Sequence, residues 1–204
     1  MIFTGPPGSG KSTTAGAIAK RTGWVYYECD GFSFGFNPYL SPDENQADAR
    51  TENPALIGPG MSERKEAFKD WLVNDLKLQS GETTDRLATD HFLRLLAEDI
   101  KRERSRVGGD WVVAFALPTR SDRDVFRKVL GDSVIFVVLE ISFDLVKERL
   151  SGRENEEWIA EVLASRHRIH EPAQSDEPKT VAFEILKEAT VEENAQKIIS
   201  LINS

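Results

Sequence analysis

The sequence is short of cysteine, of long apolar runs and of positive charge, and each shortage excludes a class of protein. Its 204 residues include one cysteine, Cys29, so no internal disulfide framework can form. No apolar run approaches the roughly 20 residues that a membrane-spanning helix requires. Acidic residues number 34 against 26 Lys and Arg, giving a formal net charge of −8. Because nucleic-acid binding depends on basic residues neutralising phosphates, we expect neither a nucleic acid nor a membrane as a partner.

The remaining composition fits one cytoplasmic globular domain. Hydrophobic residues make up 40% and charged residues 29%, a profile typical of such proteins, and the length suits a single domain. The first residues run from a strand-like segment into a glycine-rich loop without a basic leader, which favours the cytoplasm. The sequence leaves open whether the protein is a monomer or a homodimer.

Short apolar runs alternate with longer amphipathic stretches along the chain. This pattern is typical of a parallel sheet with helices on both faces, so we expect a three-layer α/β sandwich with a mainly parallel, five-stranded sheet. The predicted strands are Met1–Thr4, Trp24–Cys29, Asp110–Leu117, Val134–Leu139 and Val181–Ile185.

Helices are predicted between these strands from their apolar period and their capping residues. Predicted N-terminal caps are Ser121 with Asp124, Ser142, and Thr190 with Glu193. The clearest helical stretches are Lys11–Arg21, Ser62–Leu78 and Leu87–Arg106. In contrast, Phe32–Met61 is rich in Pro, Gly, Asn and Asp and has no period, so we predict a long functional loop there.

One motif decides the class of ligand. The residues Gly5-Pro6-Pro7-Gly8-Ser9-Gly10-Lys11-Ser12-Thr13 fit G-x-x-x-x-G-K-[ST], the phosphate loop, and they stand between a predicted strand and a predicted helix. The glycines let the backbone wrap round a phosphate chain, and the helix adds its positive N-terminal end. Lys11 would reach the β- and γ-phosphates of ATP, Ser12 would hold Mg²⁺, and Thr13 would support the α-phosphate side.

Four segments, taken in order, resemble the gluconate kinases and shikimate kinases, which are relatives of the nucleoside monophosphate kinases. The first is the phosphate loop. The second, Tyr26–Asp30, is similar to the aromatic or apolar pair before Asp-Gly-Asp in gluconate kinases. The third, Arg123–Arg127, is similar to their Tyr-Arg-Asp-x-Leu-Arg stretch, and the fourth, Glu148–Arg153 continuing to His170-Glu171-Pro172, is similar to their lid and the segment after it.

The resemblance implies an ATP-dependent phosphotransferase with the phosphate-loop NTPase fold. Its cofactors would be ATP and Mg²⁺, and its acceptor would be a hydroxyl of a small metabolite, such as a gluconate-like sugar acid. The resemblance also implies one kinase domain over residues 1–204, with an acceptor-binding insertion at about 31–90 and a small lid at about 150–170.

Acidic residues after the second strand are the expected partners of the acceptor and of magnesium. Asp30 would orient the acceptor hydroxyl or hold a magnesium-bound water, because phosphoryl transfer depends on positioning and charge neutralisation. The carboxyl ends of strands are also where open α/β sheets bind ligands. Glu28 is a second candidate.

Arginines are expected to complete the site. Arg123 and Arg120 follow the third strand and would bind the acceptor or the transferring phosphoryl group, although Arg120 equally fits an ordinary helix start. Arg149 and Arg153 correspond to lid arginines in the resemblance, and such arginines stabilise charge on the γ-phosphoryl group in the transition state. By the same resemblance, the loop Leu186–Thr190 would lie against the adenine base.

His167 and His170 are a weaker signal. They lie three residues apart and share a helix face, but no third metal ligand accompanies them. We therefore expect ordinary helix residues rather than a metal site or a general base.

The resemblance has a gap at the acceptor. The region between Asp30 and His91 is longer than in gluconate kinases, and their His-Pro pair after Asp-Gly-Asp is missing. The chain therefore also fits a nucleoside or nucleoside monophosphate kinase, for which basic residues such as Arg64 would serve. An alternative of another class is a nucleotide-gated binding module without kinase activity.

Overall fold

The computed structural model describes residues 1–30, Tyr39, 61–150 and 156–203. Five strands form one sheet: β1 (Ile2–Thr4), β2 (Val25–Glu28), β3 (Trp111–Ala114), β4 (Phe136–Glu140) and β5 (Thr180–Glu184). Their order is β2-β3-β1-β4-β5, and every pair of neighbours is parallel. The five predicted strands are confirmed, each shifted or shortened by a few residues.

The described helices pack on the two faces of this sheet. No helix in the described ranges is both long and apolar enough to cross a bilayer. In chain order they are α1 (Lys11–Thr22), α2 (Met61–Ser80), α3 (Arg86–Val107), α4 (Arg120–Leu130), α5 (Phe143–Leu150), α6 (Glu156–Ile169) and α7 (Val191–Ile202).

Alternate strand residues point into two separate apolar cores. On one face Phe3 and Val137 pack with Ile18 of α1 and Ile198 of α7. On the other face Ile2 and its sheet neighbours pack with side chains of α3 and α4, such as Phe92, Leu96 and Phe126. Because both faces of the sheet are covered, its central strands are largely apolar, as is typical of parallel sheets. The predicted three-layer α/β sandwich is confirmed.

The caps of the helices match the predictions with one exception. Thr190 forms a capping box with Glu193 at the start of α7, and the Ser142 hydroxyl accepts from the Leu145 amide at 3.3 Å. The prediction of a box between Ser121 and Asp124 is wrong, since α4 begins at Arg120 and both residues lie inside it.

Thr119 caps α4 instead. Its hydroxyl accepts from the Asp122 amide, and the Asp122 carboxylate accepts from the Thr119 amide at 3.0 Å. A Thr and an Asp three residues apart carry the same sequence signal as a Ser and an Asp, so the motif alone did not distinguish the two registers.

The register of the strands brings three carboxyl ends together. Ala114 of β3 lies opposite both Phe3 of β1 and Glu28 of β2. The Thr4 hydroxyl then donates to the Leu117 carbonyl at 3.0 Å and accepts from the Leu117 amide at 2.8 Å. The loop after β1 is thereby fixed beside the segments that follow β2 and β3, at the edge where open α/β sheets bind ligands.

Candidate active site

The phosphate loop connects β1 to α1 and is built on glycines that no other residue can replace without strain. Gly5 has a φ of +154°, and a Cβ there would stand 2.7 Å from the Leu139 carbonyl oxygen. Gly10, which precedes α1, has a φ of +86° in the left-handed region. These two positions let the backbone turn tightly from the end of β1 into the first turn of α1.

Lys11 is the first residue of α1, and its side chain reaches back to the start of the loop. Its ammonium group donates to the carbonyls of Gly5 and Pro6, each at 3.0 Å. Burial lowers the pKa of Lys11 to about 8, while the nearby carboxylates of Asp30 and Glu28 oppose that change. The site therefore holds a desolvated lysine beside two acidic groups.

A cavity of about 520 Å³ opens against the loop and the start of α1. Its lining brings loop residues together with Arg149 of α5 and with residues around the start of α7, namely Ile185, Ala189, Val191 and Asn194. Arg149 was predicted in this site, and its guanidinium lies within 3.7 Å of a Cβ built at Gly10. Ala189 belongs to the loop predicted to lie against the adenine base. The cavity has one polar end, at the phosphate loop, and one largely apolar end.

Glu28 and Asp30 lie near enough to Lys11 to affect its pKa. Glu28 is buried, and its carboxylate accepts a hydrogen bond from the Tyr26 hydroxyl at 2.7 Å; the Ser12 hydroxyl is close by. Burial raises the pKa of Glu28, and the charge of Asp30 raises it further. Asp30 is accessible to solvent, yet the protein atoms round its carboxyl desolvate it and raise its pKa, against the effect of the positive charges of Lys11 and Arg166.

These oxygen ligands fit a magnesium ion bound with a nucleotide. Mg²⁺ prefers hard oxygen ligands and is held in such sites by one or two protein groups, with phosphates and water filling the other positions. The hydroxyl of Ser12 and the carboxylates of Glu28 and Asp30 are of this type. Among the residues that the structure describes, no group of three or more His, Cys, Asp or Glu side chains forms a separate metal site.

Arg123, which the sequence predicts in the site, has a different environment. Its side chain is fully buried, and its Nε and Nη2 donate to the Glu177 carboxylate at 2.6 and 2.9 Å. Its Nη1 donates to the Glu171 carbonyl at 3.2 Å. The guanidinium is therefore committed to protein partners, and we correct its predicted role to a structural one.

Arg120 also stays apart from the described site. Arg120 lies at the surface, where its Nη1 donates to Asp176 at 2.9 Å and to Gln174. Its predicted role at a helix start is the one that fits. Arg153 and the predicted loop Phe32–Met61 lie outside the described residues, apart from Tyr39 within the loop and the backbone of Met61 at the start of α2.

Three polar residues beside the phosphate loop were not predicted. Asp75 of α2, Arg166 of α6 and His170 line a small slot with Trp71 and the segment Gly5–Pro7. Arg166 donates to Asp75 at 2.6 Å. The only local signal in the sequence was that Arg166 and His170 lie four residues apart at a predicted helix end. The sequence alone did not predict that these residues lie near Asp75.

This chain is similar to known proteins of the class that the phosphate loop indicates. Residues 1–59 match a family model described as "ATPase family associated with various cellular activities (AAA)". Over 87% of this chain and 84% of the relative, the sequence is 27% identical to a protein of Rattus norvegicus called "Probable gluconokinase", and a Mus musculus protein with the same name is 24% identical.

Solved structures of sugar kinases have the same fold. A sugar kinase from Janibacter sp. HTCC2649 superposes with a TM-score of 0.64 and 23% identity, over 99% of this chain and 92% of the other. A gluconokinase from Sinorhizobium meliloti 1021 superposes with a TM-score of 0.58 and 19% identity, over 98% and 91%. The chain thus has the fold of phosphate-loop small-molecule kinases, and the resemblance predicted from its sequence is confirmed.

Proposed function

We propose that the protein is an ATP-dependent kinase that moves the γ-phosphoryl group of Mg-ATP to a hydroxyl of a small polyhydroxylated metabolite, of which gluconate is the first candidate. One observation carries the proposal: Lys11 of a complete phosphate loop lies within electrostatic reach of Asp30. A cation suited to binding phosphate and a carboxylate suited to orienting the acceptor are thus close enough to affect each other's pKa. The names of the relatives support the acceptor class.

In this proposal the nucleotide occupies the cavity beside α1. The amides of the loop and the N-terminus of α1 would hold the phosphates, because both present N–H groups and positive potential. Lys11 would bind the β- and γ-phosphates, and Arg149 would stand over them from α5. Residues at the start of α7 would contact the base.

Magnesium would be held by Ser12 and by the carboxylates behind it. When bound, the ion neutralises charge on the β- and γ-phosphates. Glu28 lies close to the Ser12 hydroxyl, so it would orient that hydroxyl whether Glu28 contacts the ion directly or through water.

Asp30 would orient the acceptor. Because its pKa is raised, its carboxylate is a better proton acceptor than an ordinary exposed aspartate. It would accept the hydrogen bond of the attacking hydroxyl and take up that proton as the new oxygen–phosphorus bond forms. The bond between the γ-phosphorus and the oxygen that bridges it to the β-phosphate would break, and ADP would leave. We also propose that Arg153 acts from the lid at about 150–170 and that the insertion at about 31–90 binds the acceptor.

A coupled ADP-release assay tests this function. Mg-ATP is supplied with gluconate, other sugar acids, neutral polyols, shikimate, nucleosides and nucleoside monophosphates in turn. We expect gluconate or a close relative to accelerate ADP formation, and ³¹P NMR should then find the phosphoryl group on the acceptor. Acceleration by nucleosides or their monophosphates would assign another acceptor class. Tight ATP binding with no acceleration by any acceptor would instead favour a nucleotide-gated binding module.

A further inference from the structure

A narrow slot lies against the first residues of the phosphate loop. Its volume is about 20 Å³, and its walls are Gly5–Pro7, Trp71, Asp75, Arg166 and His170, with Ala116, Pro118 and Ile169 completing it. A space of this size accommodates about one water molecule or one hydroxyl group. The slot is thus large enough for a single polar group from a ligand.

Two side chains at this slot have buried polar atoms without a partner. Neither ring nitrogen of His170 has a hydrogen bond to any described residue, and the same holds for Nε of Arg166. Such groups cost free energy unless a ligand or water satisfies them. His167, three residues earlier, is different, because its Nε2 makes a hydrogen bond to the Ile141 carbonyl at 2.9 Å.

The His170 ring is neutral at physiological pH. Burial lowers the pKa of His170 to about 4, and the charges of Arg123 and Lys11 contribute. A neutral imidazole has one donor and one acceptor nitrogen. The effect of Lys11 also means that His170 lies near the end of the site where the γ-phosphate would be. Arg166 is held in place by its hydrogen bond to Asp75 at 2.6 Å, which leaves Nε free to donate.

A larger hollow continues from the slot. It has a volume of about 180 Å³ and shares Trp71, Asp75 and Pro118 with the slot. Much of its remaining wall is polar, including Asn74, Thr84, Thr89, Thr119 and Ser121. The two spaces together form a trough that runs from the phosphate loop along α2, with one aromatic wall and many hydrogen-bonding groups.

We propose that His170 and Arg166 bind a hydroxyl group of a polyhydroxylated acceptor in this slot, and that the rest of the acceptor lies in the adjoining hollow. The inference rests on the proposed kinase function and names the residues that select its acceptor. A hydroxyl suits the slot because it both donates and accepts. It would accept from Arg166 Nε and pair with one nitrogen of His170. A neighbouring hydroxyl would donate to Asp75.

Steady-state kinetics with gluconate and ATP test this role. Losing the hydrogen bonds of His170 should raise the KM for gluconate about fivefold to tenfold in His170→Ala, while the KM for ATP stays within about twofold of the wild-type value. His170→Gln keeps one donor and one acceptor and should recover part of the loss. Arg168→Gln, which changes an exposed residue of α6 two positions before His170, is the matched control and should have no effect.

Ring signals of histidine provide a second readout on the unaltered chain. The protein has three histidines, so ¹⁵N-histidine labelling gives three ring systems, and His91→Gln and His167→Gln assign the other two. Adding gluconate together with a non-hydrolysable ATP analogue should shift the ring nitrogen signals of His170 and leave those of His91 unchanged.

The outcomes separate this inference from the proposed function. If the wild-type protein phosphorylates gluconate but His170→Ala keeps its KM for gluconate, or saturating gluconate leaves the His170 signals unmoved, the slot holds only water and the inference is wrong. If no acceptor in the panel accelerates ADP formation, the proposed function fails and the inference fails with it.

Discussion

Glu177 accepts hydrogen bonds from two nitrogens of Arg123, Nε at 2.6 Å and Nη2 at 2.9 Å, and both side chains are fully buried. Arg127 adds a third charge-assisted bond to the same carboxylate at 2.6 Å. The pair ties α4 to the segment that leads into β5. The Arg123–Glu177 pair therefore holds the region after β3 against the segment around His170.

Replacing Glu177 should destabilise the fold strongly. Glu177→Gln leaves the Arg123 guanidinium buried without its countercharge, and breaking one partner of a buried pair costs about 3–5 kcal/mol. Urea unfolding measures the loss as a fall in the free energy of unfolding. Asp176→Asn removes the carboxylate of an exposed pair with Arg120 and, as the control, should leave that free energy nearly unchanged. Equal effects of the two changes would contradict the structural role of Arg123.

Low pH should weaken the interaction of Glu177 with Arg123 and Arg127 and thereby destabilise the fold. Burial opposes the charge of Glu177, but the hydrogen bonds from Arg123 and Arg127 outweigh it and lower the pKa of Glu177 to about 2. Because the folded-state pKa is below the unfolded value of 4.5, the stabilisation is complete above about pH 4.5 and is lost as the pH falls towards 2. Unfolding free energies between pH 6 and 3 should fall less steeply in Glu177→Gln than in the wild type. Parallel slopes would contradict the assignment.

The sequence predicts the sheet and the phosphate loop because their signals are local. Buried parallel strands need apolar residues in succession, and the loop needs glycines at fixed positions before Lys11. Arg123 was misassigned because its place after β3 tells which edge of the sheet it is near, not where its side chain points. Its partner Glu177 lies 54 residues away.

The slot beside the loop was missed for a related reason. Arg166 meets Asp75 across 91 residues of sequence, and no period or motif connects positions so distant. His170 looks like an ordinary helix residue in the sequence. Only the folded chain distinguishes it from His167, because one ring has a backbone partner and the other has none among the described residues.

Lys11 should make nucleotide binding depend on pH. Burial lowers its pKa to about 8, so the free protein loses the ammonium charge above that pH, and binding ATP then requires taking up a proton. The Kd for ATP should rise with pH above 8, by up to about tenfold per pH unit. Titration calorimetry from pH 7 to 9.5 measures it. Lys11→Met should bind weakly with no such slope, and a flat wild-type profile would contradict the lowered pKa.

Arg149 should contribute to nucleotide affinity. It lines the cavity beside Gly10, and charge-assisted hydrogen bonds to phosphate contribute about 1.5–3 kcal/mol. Arg149→Ala should therefore raise the Kd for ATP by about ten- to a hundredfold, as measured with a fluorescent ATP analogue. Lys147→Ala is the matched control on α5, since Lys147 pairs with the exposed Asp144. An unchanged Kd in Arg149→Ala would exclude the arginine from the nucleotide site.

Replacing Asp30 should affect phosphoryl transfer far more than ATP binding. Its carboxylate lies near Lys11, but its proposed partner is the attacking hydroxyl, so Asp30→Asn should lower kcat by about 10²- to 10⁴-fold and change the Kd for ATP only slightly. Asp110→Asn alters an exposed carboxylate just before β3, at the opposite end of the strand from the site, and should leave both constants unchanged. Stopped-flow measurement of the first turnover keeps product release out of the comparison. If Asp30→Asn retained a near-normal rate, Asp30 could not orient the acceptor, and Glu28 would be the carboxylate to test next.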